Sequence, residues 1–202
     1  MGRDDEALRW AEEGLWAFED GAPDERLIDF AVGMLNKAGR TREAEAHAWR
    51  AFEKAPGLER YRKLRDLVGQ PALQRALAML SARLAKEQAT LRLSTADTLI
   101  GILMAEQSYE AAWEAVRRHG ASMGVRESLA RESAITHPRE ALEVFTQRVD
   151  RLATLGGNRD YAEAANLVER MGALRAAPEH AAYLAELKAR FARKRNFMKL
   201  LA

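Results

Sequence analysis

The residues able to do chemistry are numerous but dispersed. The four histidines stand at 47, 119, 137 and 180. No two are three or four positions apart, and no HExxH occurs, so no helix turn offers a pair of imidazoles to a metal. Glu43 and His47 are one turn apart, a spacing that makes a surface pair. The 30 acidic residues interleave with arginine and lysine, as on a solvated helix exterior. The "GGN" at 156–158 reads as a turn, with neither GxGxxG nor a P-loop around it. There is no cysteine, which excludes disulfides, thiol nucleophiles, iron–sulfur ligation and cysteine-based zinc sites in this chain. No catalytic set, cofactor site or metal site is therefore assigned, and a non-enzymatic role is expected.

Two basic clusters remain. "RYRKLR" (60–65) places Arg60, Arg62, Lys63 and Arg65 around Tyr61. With Trp49 upstream, Arg60, Tyr61 and Lys63 form a candidate surface for a protein or peptide partner. The second cluster is Lys188, Arg190, Arg193, Lys194, Arg195 and Lys199, with Phe191 and Phe197 among them and no acid between. Cations interleaved with aromatics suit phosphate contacts and base stacking, so these six form a candidate nucleic-acid patch. A solvated terminal helix, its cations favoured by the C-terminal dipole, accounts for the same residues. The net charge of +2 supplies no global pull on nucleic acid.

The elements that must carry these residues are helices. Alanine, leucine, glutamate and arginine dominate, β-branched residues are scarce, and no alternating run reads as a strand. Breaks fall at 19–24, 37–41, 55–57, 69–71, 90–94, 107–108, 119–124, 136–138, 156–158 and 176–179. They leave about ten or eleven helices of ordinary length, joined by short turns that make neighbours antiparallel. Asp24, Thr41 and Ser94 are candidate N-caps, and Pro71 and Pro138 suit first turns. Gly39, Gly69, Gly120 and Gly156 suit left-handed C-terminal caps. No apolar run is long enough to span a membrane, and "MGRDDEALRW" does not read as a signal peptide. A cytoplasmic chain is expected.

A motif recurs as "DEALRWAEEGL" (5–15), "REAEAHAWRAF" (42–52), "YEAAWEAVRRH" (109–119), "REALEVFTQRV" (139–149) and "YAEAANLVERM" (161–171). Ala7 to Ala44 is 37 residues and Ala44 to Ala111 is 67, close to two periods of a helix-pair repeat. An alanine stripe lets two helix axes approach closely, and each hairpin then buries its open face on the next. The whole of 1–202 reads as one helical-repeat domain. Its units are about 5–37, 42–69, 71–105, 109–133 and 138–173, with a terminal helix at 179–201.

In Ala44, Ala48, Ala51 and Pro56, with Ala31 and Leu35 upstream, the chain resembles the tetratricopeptide repeat. The resemblance implies an all-α fold, an α-α superhelix presenting a face to a protein partner. The final run, "AAYLAELKARFARKRNFMKLLA" (181–202), resembles the C-terminal region of bacterial SWIM-type zinc-finger proteins. Their finger needs three cysteines and one histidine, so this chain would correspond to the repeat region alone. The function expected is thus a protein–protein interaction or scaffold module, an accessory region of a larger protein. The alternative is a nucleic-acid accessory domain using the basic C-terminal helix. In residues 5–18, Ala7 and Ala11 carry the pattern of a second hairpin helix with no first helix before it, which leaves Trp10, Leu15, Trp16 and Phe18 to be covered. The expectation is that either Met1 begins a fragment of a longer chain, or residues 5–18 pair with a second copy.

Overall fold

A computed structural model describes residues 2–17, 24–86 and 89–201, without the side chains of 2–5, 16 and 89–92. The fold is all-α, with twelve helices and no strand among the described residues. They are α1 (Gly2–Trp16), α2 (Glu25–Lys37), α3 (Thr41–Lys54), α4 (Leu58–Val68), α5 (Pro71–Lys86) and α6 (Ala89–Ala105). Then follow α7 (Tyr109–His119), α8 (Met123–Ser133), α9 (Pro138–Leu155), α10 (Asn158–Gly172), α11 (Ala177–Arg190) and α12 (Arg195–Leu200). None of them is long and apolar enough to cross a membrane. Packing gathers them into two compact units, Met1–Glu106 and Gln107–Ala202.

Local chemistry sets the helix ends. The Asp24 carboxylate accepts from the Arg26 and Leu27 amides at 2.7 and 3.4 Å, capping α2. Thr41 does not cap α3: it is the first helical residue, and the Arg40 carbonyl takes the amides of Glu43 and Ala44. Gly120 and Gly156 have φ of 77° and 81°, but with ψ of 174° and 173°. That extended mirror region is essentially open to glycine alone, and it is not the left-handed helical cap expected. Each glycine amide still closes the last turn, on Val116 and Leu152 respectively, before the chain leaves straight for the next helix.

Two sequence expectations fail for tertiary reasons. No break occurs across 90–94, and Ser94 caps nothing; its carbonyl accepts from the Thr98 hydroxyl inside α6. Thr95, Ala96, Leu99, Ile100, Ile102 and Leu103 of α6 are all buried, so this helix lacks the polar stripe that marks an ordinary surface helix. Conversely, the terminal helix is divided between α11 and α12. Phe191 and Phe197 sit 6.1 Å apart, and Phe197 stacks on Tyr161 at 5.4 Å. In one continuous helix those rings would lie about 9 Å apart along the axis on different faces. The turn over 191–194 lets both reach the same cluster.

In the first unit α1, α2 and α3 share a core of Leu8, Ala11, Leu15, Ile28, Ala31, Leu35, Ala44 and Ala51. Leu15 is therefore covered from within, whereas Trp10 is 61% exposed. Phe18 and the Trp16 side chain lie outside the described residues. Alternate helices also meet. His47 on α3 lies 3.1 Å from Glu12 on α1, and Arg75 on α5 lies 2.8 Å from Glu53 on α3. Lys63 on α4 reaches Asp29 on α2 at 2.7 Å. In the second unit Arg117 of α7 faces Glu140 of α9 at 3.7 Å, and Arg190 of α11 reaches Asp150 of α9 at 2.8 Å. Asn196 of α12 donates to Asn158 of α10 at 3.2 Å. Within each unit, helices two apart in the chain thus meet in addition to sequence neighbours.

Candidate interaction surfaces

The 60–65 cluster lies on α4, whose buried face is Tyr61 and Leu64. Tyr61 is 1% exposed, so it presents no ring to a partner. Its hydroxyl donates to Glu106 Oε1 at 2.7 Å, and Arg65 Nε donates to the same oxygen at 3.0 Å. Burial, and then the bond to Glu106, push the Tyr61 hydroxyl far above its ordinary range. The same two donors, Tyr61 first, hold the Glu106 carboxyl below its usual value. Trp49 is also core rather than surface, 3% exposed, edge-on to Phe52 and covered by the Arg75 guanidinium 4.0 Å from its ring. Both aromatics of the candidate partner surface are therefore structural. Each was drawn inward by an apolar position on its helix that flanking charges conceal.

The cations of this cluster are neutralised. Arg60 pairs with Glu25 at 2.6 Å and also donates to the Ala55 carbonyl. Arg62 pairs with Glu59, and Lys63 bridges Glu25 and Asp29. The Asp29 hydrogen bond is the leading reason the Lys63 ammonium is held above its ordinary value. What remains open is a groove of about 470 Å³ between α2 and α4, lined by Val32, Gly33, Asn36, Lys63, Asp66 and Leu67. Nothing stands within 4 Å of where a Gly33 side chain would begin. Of these residues only Lys63 stands out in the sequence.

The C-terminal cations have the opposite surroundings. Arg190 is tied to Asp150, but Lys188, Arg193, Lys194, Arg195 and Lys199 have no ion-pair partner among the described residues. Arg193, Arg195 and Lys199 are exposed, while Phe197 is completely buried and Phe191 partly so. The exposed cations are in place, whereas the rings are engaged in packing, Phe197 on Tyr161 and Phe191 on Phe197. Beside these cations a groove of about 380 Å³ runs between α10, α11 and α12. Ala162, Ala165, Leu184, Leu200 and Leu201 give it apolar walls, and Glu169 and His180 stand in it as well. Leu200 is 50% exposed.

Sequence reasoning missed a polar contact between α9 and α11. The Arg175 guanidinium lies 4.1 Å from the Tyr183 ring and donates to Thr146 at 3.4 Å. Burial, reinforced by Asp150, raises the Tyr183 hydroxyl above its ordinary value. The histidines do not converge. His47 faces Glu12, Glu43 pairs with Arg40, and His137 lies 3.1 Å from Glu110. Among the described residues no group of three or more His, Asp or Glu side chains could hold a metal ion. Comparison of the chain with family models, with curated proteins and with solved structures gives no match in any of the three.

Proposed function

We propose that the chain is a non-catalytic protein–protein interaction module, a tetratricopeptide-like α-α superhelix serving as an accessory region of a larger cytoplasmic protein. The supporting observation is the contact of alternate helices, which leaves open grooves between them, the α2–α4 groove among them. Stacked hairpins produce such surfaces as a consequence of their geometry. The likeness of the last run to SWIM-type proteins fits an accessory region that works beside another module. A photo-crosslinking side chain at Asn36, in the α2–α4 groove, should give a discrete protein adduct in cells. The same group at exposed Gln74 on α5 should give none. Equal labelling at both positions, or none at Asn36, would refute the reading.

The unpaired C-terminal cations favour one second reading, a nucleic-acid accessory domain. Phosphate contacts would make oligonucleotide affinity fall steeply between two salt concentrations, with a slope set by the number of cations engaged. A shallow slope or no binding would remove it.

A further inference from the structure

Two exposed surfaces of this chain complement each other, and they belong to different units. The first is the outer face of α1. By sequence, residues 2–17 hold five acids (Asp4, Asp5, Glu6, Glu12 and Glu13) against two bases, Arg3 and Arg9; of these, Glu12 turns to His47 on α3 at 3.1 Å and Glu13 lies 3.8 Å from Arg9. Trp10 projects from this face at 61% exposure, with exposed Glu6 and Glu13 one turn to either side. Its only described ring contact is Arg9, 5.6 Å from the centroid. The opposite face of the helix, through Leu8, Ala11 and Leu15, is already committed to α2 and α3. An exposed indole on a helix of net negative charge suits a groove with apolar walls and cations close by.

The second surface is a groove with Asn166, Glu169 and His180 among apolar residues, formed by elements that carry cations outside its lining. The cleft between α10, α11 and α12 has leucine and alanine walls. Residues 187–201 carry six cations and no acid, and one of the six is neutralised. Lys188 stands one helical turn beyond Leu184, and Lys199 adjoins Leu200. Glu169 is the one acid of the lining, and it suits the bases of α1. We propose that α1 of one copy docks through Trp10 into the α10–α12 groove of a second copy, so that copies associate head to tail. The inference rests on reading the chain as a protein-interaction module, and it names a second copy as the occupant of one surface.

The geometry has a consequence for assembly. The two surfaces are different, so the contact is heterologous and each added copy offers a fresh end. Growth does not stop at a dimer unless the chain of copies closes into a ring. A single helix in a groove is a small interface, so association should be weak and sensitive to salt.

Sedimentation equilibrium on the full chain tests this. The weight-average mass should climb past that of a dimer as concentration rises from micromolar to millimolar, and fall back at high salt. Trp10→Ala should abolish the climb, as should the double variant Lys188→Glu/Lys199→Glu. If circular dichroism shows that the double variant is misfolded, Leu200→Ser serves in its place. Mixing the Trp10→Ala chain with the groove variant gives the decisive reading. One intact α1 and one intact groove remain, so a complex of two chains should form and grow no further. A wild type that stays monomeric overturns the proposal, whether or not its cations bind an oligonucleotide. So does a wild-type dimer that Trp10→Ala breaks while the groove variant leaves it whole, which would mean α1 pairing with α1. Failure of the two variants to recombine overturns it as well. The adduct at Asn36 reports on the wider interaction reading independently of all these outcomes.

Discussion

The runs 60–65 and 188–199 look alike in sequence, each a set of cations around aromatic rings, yet they meet opposite fates. In the first, every cation finds an acid: Glu25 for Arg60, Glu59 for Arg62, Glu25 and Asp29 for Lys63, Glu106 for Arg65. In the second, among the described residues, only Arg190 does. The aromatics behave the same in both places, since Tyr61 and Phe197 are each sealed in the core. The difference lies in what the fold carries to them. α4 is laid against the acid-bearing edge of α2 and the end of α6, whereas the turn at 191–194 projects its cations where no acid follows. The meaning of a basic run is set by its distant neighbours.

The contrast makes measurable demands. The largest effect belongs to the sealed cluster. Tyr61→Ala should cost about 3–5 kcal/mol in urea unfolding, as removal of a buried aromatic side chain does. A loss near zero would mean Tyr61 is not core. Next comes Glu106→Ala, which strands the Tyr61 hydroxyl and should cost about 1–3 kcal/mol at neutral pH. Here pH gives a sharper reading. The folded-state pKa of Glu106 is depressed, so its contribution is complete above the ordinary value of 4.5 and is lost as pH falls below it through the folded value. The gap between wild type and Glu106→Ala should therefore narrow on acidification from pH 5 downward; a gap independent of pH would show that the carboxylate charge contributes nothing. The smallest effects compare single lysines. Lys63→Ala, in an exposed pair, should cost at most about 1 kcal/mol and lose that effect in high salt. Lys199→Ala should stay within about 0.5 kcal/mol at any salt. Equal, salt-dependent losses at both would erase the distinction between paired and free cations.

Much of the helix pattern was legible because it is written locally. Asp24 caps α2, Pro71 and Pro138 open α5 and α9, and Ala44, Ala48 and Ala51 of α3 face inward as the stripe implied. The errors arose where distant contacts outweigh local signals. Thr and Leu at 90–94 suggest a pause, but burial of α6 carries the helix through. Phe191 through Lys194 contains good helix formers, and the turn there brings Phe191 against Phe197, which in turn stacks on Tyr161. The candidate surface at Trp49 and Tyr61 was misplaced for a related reason. The acids that neutralise Lys63 and bind Tyr61 lie 34 and 45 positions away, beyond the reach of any periodicity. The α10–α12 groove depends on that same unexpected turn, so it left no signature in the sequence.

One indole has a consequence for how the two units can be watched. Three of the four tryptophans (Trp10, Trp16 and Trp49) belong to the first unit, and Trp113 alone belongs to the second. Trp113 is 3% exposed, and its Nε1–H donates at 3.0 Å to the Ser133 hydroxyl, which donates in turn to the Leu129 carbonyl. That indole is dry and bonded in one fixed geometry, so its emission is blue-shifted in the folded state and moves to the red once α7 separates from α8. With the other three indoles replaced by phenylalanine, fluorescence becomes a single-site gauge of residues 107–202. Circular dichroism meanwhile reports every helix. Coincident transitions by the two probes would mean the units unfold as one cooperative body, and separated transitions would give each its own stability.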